Sequence, residues 1–237
     1  FKNEDKKQSI TGNELNKVYA DAGRPIIWIA TQRSGLNAYD YETRAFTAYQ
    51  HDPDNSHSLI TNDVTDITPS SQSTAGLWVS TYYRGIDYLD ITTGKFTHYN
   101  KKTVPGMVNE QTWTVLDGGD GNLYIGHVNG GLSVLSLSSK HLRNFKADVK
   151  SSTSLPGDNV RCIYKDNNGN IWVGTDHGLA LFNLESGEFT NFRNNINDPY
   201  GILSGYIFSI RQMKDGKIWI ATEFNGVAIL DLKDRKS

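Results

Sequence analysis

The densest run of potential metal ligands in this 237-residue chain is His51-Asp52-Pro53-Asp54-Asn55-Ser56-His57. Two histidines six positions apart match no usual ligand spacing, and Asp-Pro followed by Asp-Asn-Ser is ordinary turn chemistry. Asp166-Asn167-Asn168-Gly169-Asn170 has the composition of a calcium loop but lacks the spacing and terminal glutamate of an EF-hand, so it reads as a turn. Cys162 stands alone, which excludes an intrachain disulfide and an all-thiolate metal site, and its apolar neighbours make it a small core residue. Gly-x-Ser-x-Gly, His-Glu-x-x-His and a phosphate-binding loop are all missing from the sequence. These residues predict no catalytic group, no metal and no cofactor. A different chemistry is offered by short irregular segments: Gln32-Arg33-Ser34, Tyr82-Tyr83-Arg84, His127-Val128-Asn129-Gly130, Asp176-His177 and Glu223-Phe224-Asn225. Aromatic rings there can stack on the apolar face of a sugar, and guanidinium groups can hold a carboxylate or sulfate by paired hydrogen bonds.

What must position those segments is a repeat. Ile26-Ile27-Trp28-Ile29-Ala30-Thr31, Leu77-Trp78-Val79-Ser80-Thr81, Leu123-Tyr124-Ile125-Gly126-His127, Ile171-Trp172-Val173-Gly174-Thr175 and Ile218-Trp219-Ile220-Ala221-Thr222 share one pattern. Their aromatic residues recur at intervals of 50, 46, 48 and 47, and an upstream column (Val18, Ile67, Val115, Ile163, Ile210) recurs at 49, 48, 48 and 47. Each unit reads as four short strands, A to D. Asn/Gly hairpin turns join A to B, a loop ending in Gly-Leu, Gly-Ile or Gly-Val joins B to C, and Thr93-Gly94 or Ser186-Gly187 turns lead into D. Strand C is read as ending at Tyr39-Asp40, Leu89-Asp90 or Leu184-Glu185. Nothing sustains a helical period. Four antiparallel strands per unit near 47 residues predict an all-β chain of β-propeller blades, five of them, at about 9–50, 58–100, 107–147, 155–193 and 203–237. The aromatic column is then packing between blades, buried throughout. Residues 1–8 are read as the end of a preceding or closing strand, and the whole as one propeller region, part of a larger, seven-bladed type. The chain opens on Phe1 and reads as a piece of a longer protein.

The best copy runs from Asn159 through Val160, Ile163, Asp166, Gly169-Asn170, Trp172, Gly174-Thr175 and Gly178-Leu179. It resembles the two-component regulator propeller repeat, and the likeness extends over nearly the whole chain. Tyr124 for Trp, His127 for Thr, and Ala30, Ser80 and Ala221 for Gly are departures at packing positions. The resemblance implies a periplasmic sensor region of a membrane-spanning hybrid histidine kinase of the Bacteroidetes type. Such a region detects oligosaccharides, is homodimeric in the parent, and signals to a kinase outside this chain.

The residues themselves set further limits. Lys plus Arg at 24 against Asp plus Glu at 26, a net charge of −2, gives no electrostatic footprint for nucleic acid. A five-bladed glycosidase would need paired carboxylates around its centre. The inner-strand positions supply Asp66, but otherwise Lys17, Thr114, Cys162 and Ser209, so an enzyme is disfavoured. In a blade, the B–C and D–A loops share one face. They vary between copies here, whereas the A–B and C–D turns are stereotyped. Ligand binding is therefore expected from Arg33, Tyr82, Tyr83, Arg84, His127, His177 and Phe224. Trp113 and Arg161 should flank the mouth, with Asn16, Thr65 and Phe208 at the equivalent starts of strand A. The cations among them favour an acidic or sulfated oligosaccharide. The competing reading is a protein-interaction or dimerisation propeller with no small ligand.

Overall fold

The computed structural model describes residues 9–192 and 205–231. Residues 1–8, read as the end of a preceding or closing strand, and the outer ends of the last two blades lie outside them. The described residues form five antiparallel sheets and no helix. The first holds β1 (Leu15–Ala20), β2 (Ile26–Thr31), β3 (Gly35–Asp40) and β4 (Phe46–Tyr49). The second holds β5 (Val64–Pro69), β6 (Gly76–Thr81), β7 (Gly85–Asp90) and β8 (Lys95–Tyr99). The third holds β9 (Thr112–Asp117), β10 (Asn122–His127), β11 (Leu132–Ser136) and β12 (Leu142–Phe145). The fourth holds β13 (Val160–Lys165), β14 (Ile171–Thr175), β15 (Gly178–Phe182) and β16 (Phe189–Phe192). Three strands of the fifth are described: β17 (Ile207–Gln212), β18 (Ile218–Thr222) and β19 (Val227–Leu230). Neighbours in sequence are neighbours in each sheet, which is the up-and-down order of a propeller blade. Strand C of the fourth blade stops at Phe182, and Leu184-Glu185 belongs to the following turn.

The chain gathers into two compact units, Phe1–Ile125 with Leu135–Leu142, and Gly126–Val134 with Arg143–Ser237. In the first unit Trp28, Leu36 and Ala38 pack with Leu59, Val64, Ile67 and Val79. Trp78 and Ile86 likewise pack with Val104, Met107, Val115 and Leu123. In the second, Trp172, Leu179 and Phe192 meet Ile207, Ile210 and Ile220. Each cluster thus joins the strand-B aromatic of one sheet to the strand-A column of the next, which is why strand B is apolar on both faces. Two of the column's N–H groups find carboxylates: Trp172 Nε1 donates to Asp166 at 2.9 Å and Trp78 Nε1 to Asp117 at 3.2 Å. Trp219 corrects the expectation of a wholly buried column. It is 41% exposed, as Val227 and Ile229 are more than half exposed, because among the described residues no further sheet covers that face.

Two local devices fix the loops. Gly35 and Gly85, at the start of strand C, have φ near +85°, where a side chain would meet the carbonyl of Tyr49 or Tyr99. Their N–H groups donate to the following repeat, at Asn62 O and Glu110 O, both at 2.8 Å. The D–A loops are pinned onto strand C: Thr11 N–H donates to Asn37 Oδ1 at 3.1 Å and Ile60 N–H to Asp87 Oδ2 at 2.8 Å. At the equivalent place in the fourth repeat, Pro156 has no N–H to give and Ala180 no acceptor to receive it.

Candidate functional site

Strand A carries a register shift near its start in the first, second, fourth and fifth sheets, between Leu15 and Lys17, Val64 and Asp66, Val160 and Cys162, and Ile207 and Ser209. The residue left without a ladder partner is Asn16, Thr65, Arg161 or Phe208. Trp113 holds the equivalent place in β9. A bulge breaks the two-residue alternation of a strand and re-aims a side chain. Val64 and Ile67, three apart, can therefore both be buried, and of the two residues between them Thr65, at the bulge, joins the lining described next.

In the first unit three of these positions and two B–C loops surround one cavity of about 280 Å³, lined by Asn16, Gln32, Arg33, Asp63, Thr65, Tyr82, Tyr83 and Trp113. Arg33 sits at a left-handed φ of 62°, held by its N–H bond to Asp63 Oδ1 at 3.0 Å. Asp63 also accepts Tyr82 N–H at its carbonyl, at 3.0 Å, so one residue anchors both tips. Asn16 Nδ2 donates to Val64 O at 2.8 Å and Thr65 Oγ1 to Thr112 O at 3.0 Å. Tyr82 stands edge-on to Trp113, centroids 5.1 Å apart at 66°, and to Tyr83 at 4.6 Å and 88°. Arg33, Tyr82, Tyr83 and Trp113 of the expected residues thus converge. Arg84 is exposed and lines no part of this cavity. Asp63 was not singled out by sequence, because it reads there as one more polar residue before a strand.

His127 is corrected from an exposed tip to a fully buried residue of the second unit, with Nε2 2.7 Å from Ser133 Oγ. The Ser133 hydroxyl donates in turn to Asn144 Oδ1 at 2.7 Å. That polar chain supports the imidazole where other repeats place Thr. In the same unit the Arg161 guanidinium lies 5.1 Å from the Tyr206 ring and 5.7 Å from that of Phe208, and the two rings stack at 6.5 Å. His177 Nδ1 is 3.1 Å from Asp176 Oδ1, and Phe224 is 81% exposed.

The remaining chemical candidates have structural partners. Asp66 accepts Thr114 Oγ1 at 2.6 Å and pairs with Lys17 Nζ at 3.0 Å, which locks neighbouring A strands together. Asp166 accepts the N–H groups of Asn168 and Asn170, the Asn170 amide and Trp172 Nε1, all within 2.8 to 2.9 Å. Burial pushes its carboxyl upward, but the bonds from Trp172 and Asn170 outweigh that and hold its pKa below the ordinary value. Among the described residues no group of three or more His, Cys, Asp or Glu is placed to hold a metal ion.

Residues 154–177 match the family model of the two component regulator propeller. No curated protein matches the chain. Among solved structures, it is similar to the extracellular domain of the putative hybrid two component system BT3049 from B. thetaiotaomicron. The two are 59% identical over 99% of this chain, with a TM-score of 0.86. The extracellular domain of the putative hybrid two component system BT4673 from the same organism is 17% identical over 92% of this chain, with a TM-score of 0.71. The WD40 β-propeller domain of Doa1, at 17% identity, 92% coverage of this chain, 64% of its own and a TM-score of 0.64, shares the fold. The chain spans 29% of the BT3049 domain and 27% of the BT4673 domain. Residues 154–177 thus carry the two component regulator propeller repeat, and over 99% of its own length the chain is similar to the extracellular domain of a putative hybrid two component system.

Proposed function

We propose that this chain is part of the extracytoplasmic sensor of a two-component receptor. It binds an oligosaccharide in the cavity of the first unit and signals to a histidine kinase elsewhere in the parent protein. The supporting observation is that cavity: bulged positions from separate repeats and two variable loops bring an aromatic pair, a guanidinium, a carboxylate and amides to one place. Its volume lies just under the roughly 300 Å³ at which ligand pockets begin, and suits a short saccharide. The relatives' extracellular domains support a periplasmic location. The paired state of Asp66 supports a binding rather than a catalytic role.

Arg161, His177 and Phe224, all of the second unit, are taken as further points of ligand contact there. The half-exposed Trp219, Val227 and Ile229, and Leu15 and Val18 on β1, favour contacts with further protein. In this reading they take further blades of the same parent chain, within one propeller region, and the parent is a homodimer. A sugar-array screen on the purified chain, followed by isothermal titration of the best saccharide, tests the function. Trp113→Ala should weaken binding by about 1–3 kcal/mol, the scale of a lost stacking partner or hydrogen bond at a binding site. Asn168→Ala, on an A–B turn, should leave affinity unchanged. Binding with unaltered affinity in Trp113→Ala would move the site elsewhere, and no saccharide binding would leave the protein-interaction reading standing.

A further inference from the structure

We infer that the cavity of the first unit is built for a neutral saccharide, and not for an acidic or sulfated one; this rests on its being a saccharide site. The cations that favoured an anion in the sequence do not gather there. Arg84 is outside the lining, and Lys17 is paired with Asp66. Arg161, His127 and His177 belong to the other unit, where Arg161 covers two aromatic rings and His127 is buried. The lining retains one cation, Arg33, and one anion, Asp63, whose carboxylate accepts the backbone N–H of Arg33. An anionic group drawn to the guanidinium enters a cavity that also holds this carboxylate, and the two effects oppose each other.

The hydrogen-bond inventory points the same way. Asn16 spends its amide N–H on Val64 O, and Thr65 spends its hydroxyl proton on Thr112 O. Asn16 Oδ1, the Thr65 oxygen and Oδ2 of Asp63 can still accept, and a ligand that displaces water from them has to bring hydrogens of its own. Sugar hydroxyls bring one each and can also accept from Arg33, Gln32 or the tyrosine hydroxyls. Sulfate and carboxylate oxygens bring none. The edge-on Tyr82–Trp113 pair supplies an apolar wall for the C–H face of a sugar ring, a contact that carries no charge preference.

The test is isothermal titration of this chain against neutral hexose di- and trisaccharides and, separately, against uronate-containing and sulfated disaccharides. A neutral sugar should bind, with Kd changing less than about two-fold between low and high salt, because no net charge is neutralised. Asp63→Asn keeps an acceptor for Arg33 N–H but loses the charge, so it should weaken the neutral sugar about three- to ten-fold, as for a lost charge-assisted bond. Tyr82→Phe, which preserves packing, should leave the far-UV spectrum unchanged and weaken binding by about two- to ten-fold through its hydroxyl. If only acidic or sulfated sugars bind, with affinity falling as salt rises and improving in Asp63→Asn, the inference is overturned while the saccharide reading stands. If neither panel binds, both fall.

Discussion

Replacing Trp172 and Trp219 with alanine, separately, tests whether the aromatic column derives its worth from the sheet that covers it. Both residues occupy strand B, both belong to the second unit, and they differ in exposure: Trp172 is fully buried and Trp219 is 41% exposed. Trp172 packs 5.5 Å from the Phe192 ring within the cluster of Leu179, Ile207 and Ile220, and its N–H bonds to Asp166. Trp172→Ala should therefore cost about 3–5 kcal/mol, the range for deleting a large buried aromatic and leaving a cavity. Trp219 still has solvent against much of its ring, so Trp219→Ala should cost about 1–2 kcal/mol by the area it buries. Trp172→Phe separates packing from hydrogen bonding. It keeps most of the ring and removes one of four donors to Asp166, for about 1 kcal/mol. Urea unfolding followed by far-UV circular dichroism reads all three variants, with an unchanged slope as the check that the unfolding transition is the same. Equal losses in the two alanine variants, or a loss under about 1 kcal/mol in Trp172→Ala, would refute stacking of each sheet on the next as the source of stability.

The loop between the first two sheets should respond to pH. His98 Nδ1 is 2.7 Å from Asp87 Oδ1 and Nε2 is 3.0 Å from Ser56 O, so both ring nitrogens face acceptors, an arrangement that only the protonated ring satisfies. The bond to Asp87 raises the His98 pKa above its ordinary 6.5, against the opposing pull of burial. The stability this contributes is complete below about pH 6.5 and is lost as pH rises through the raised value. Urea midpoints should accordingly fall from pH 6 to pH 9, and His98→Gln should flatten that dependence; an unchanged profile in His98→Gln would refute it. Gly85→Ala should destabilise by about 1–3 kcal/mol, because φ of +85° and the Tyr99 carbonyl leave no room for a Cβ. Gly121→Ala shares the positive φ but has nothing within 4 Å, so thermal unfolding should show it losing less; the reverse order would refute the close-approach argument.

The fold was legible because its determinants are local. Strand alternation, Asn/Gly turns and a repeat near 47 residues are each written within one repeat, and short-range sterics and turn chemistry act on them there. Even the bulge was present in the sequence, as two core residues three apart (Val64 and Ile67) where a regular strand would space them by two or four. Asn16 and Thr65 at the bulges, and Trp113 at the matching place in β9, were recognised as equivalent from the repeat alone. Tertiary structure decided what those positions meet. Asp63 anchors Arg33 and Tyr82 because the start of the second repeat lies beside the loop of the first, a relation between residues 30 apart that no local pattern encodes. His127 is buried with Nε2 against Ser133, which bonds on to Asn144, and Trp219 is half-exposed because burial depends on the neighbouring sheet and not on the residue. Arg161 could have faced an anion, and the stacked rings of Tyr206 and Phe208 claimed it instead. Sequence determined which side chains stand at the loop face, since that follows from strand period and turn type. Which of them share a cavity, and with what net charge, depends on contacts between repeats, and only the folded chain sets those.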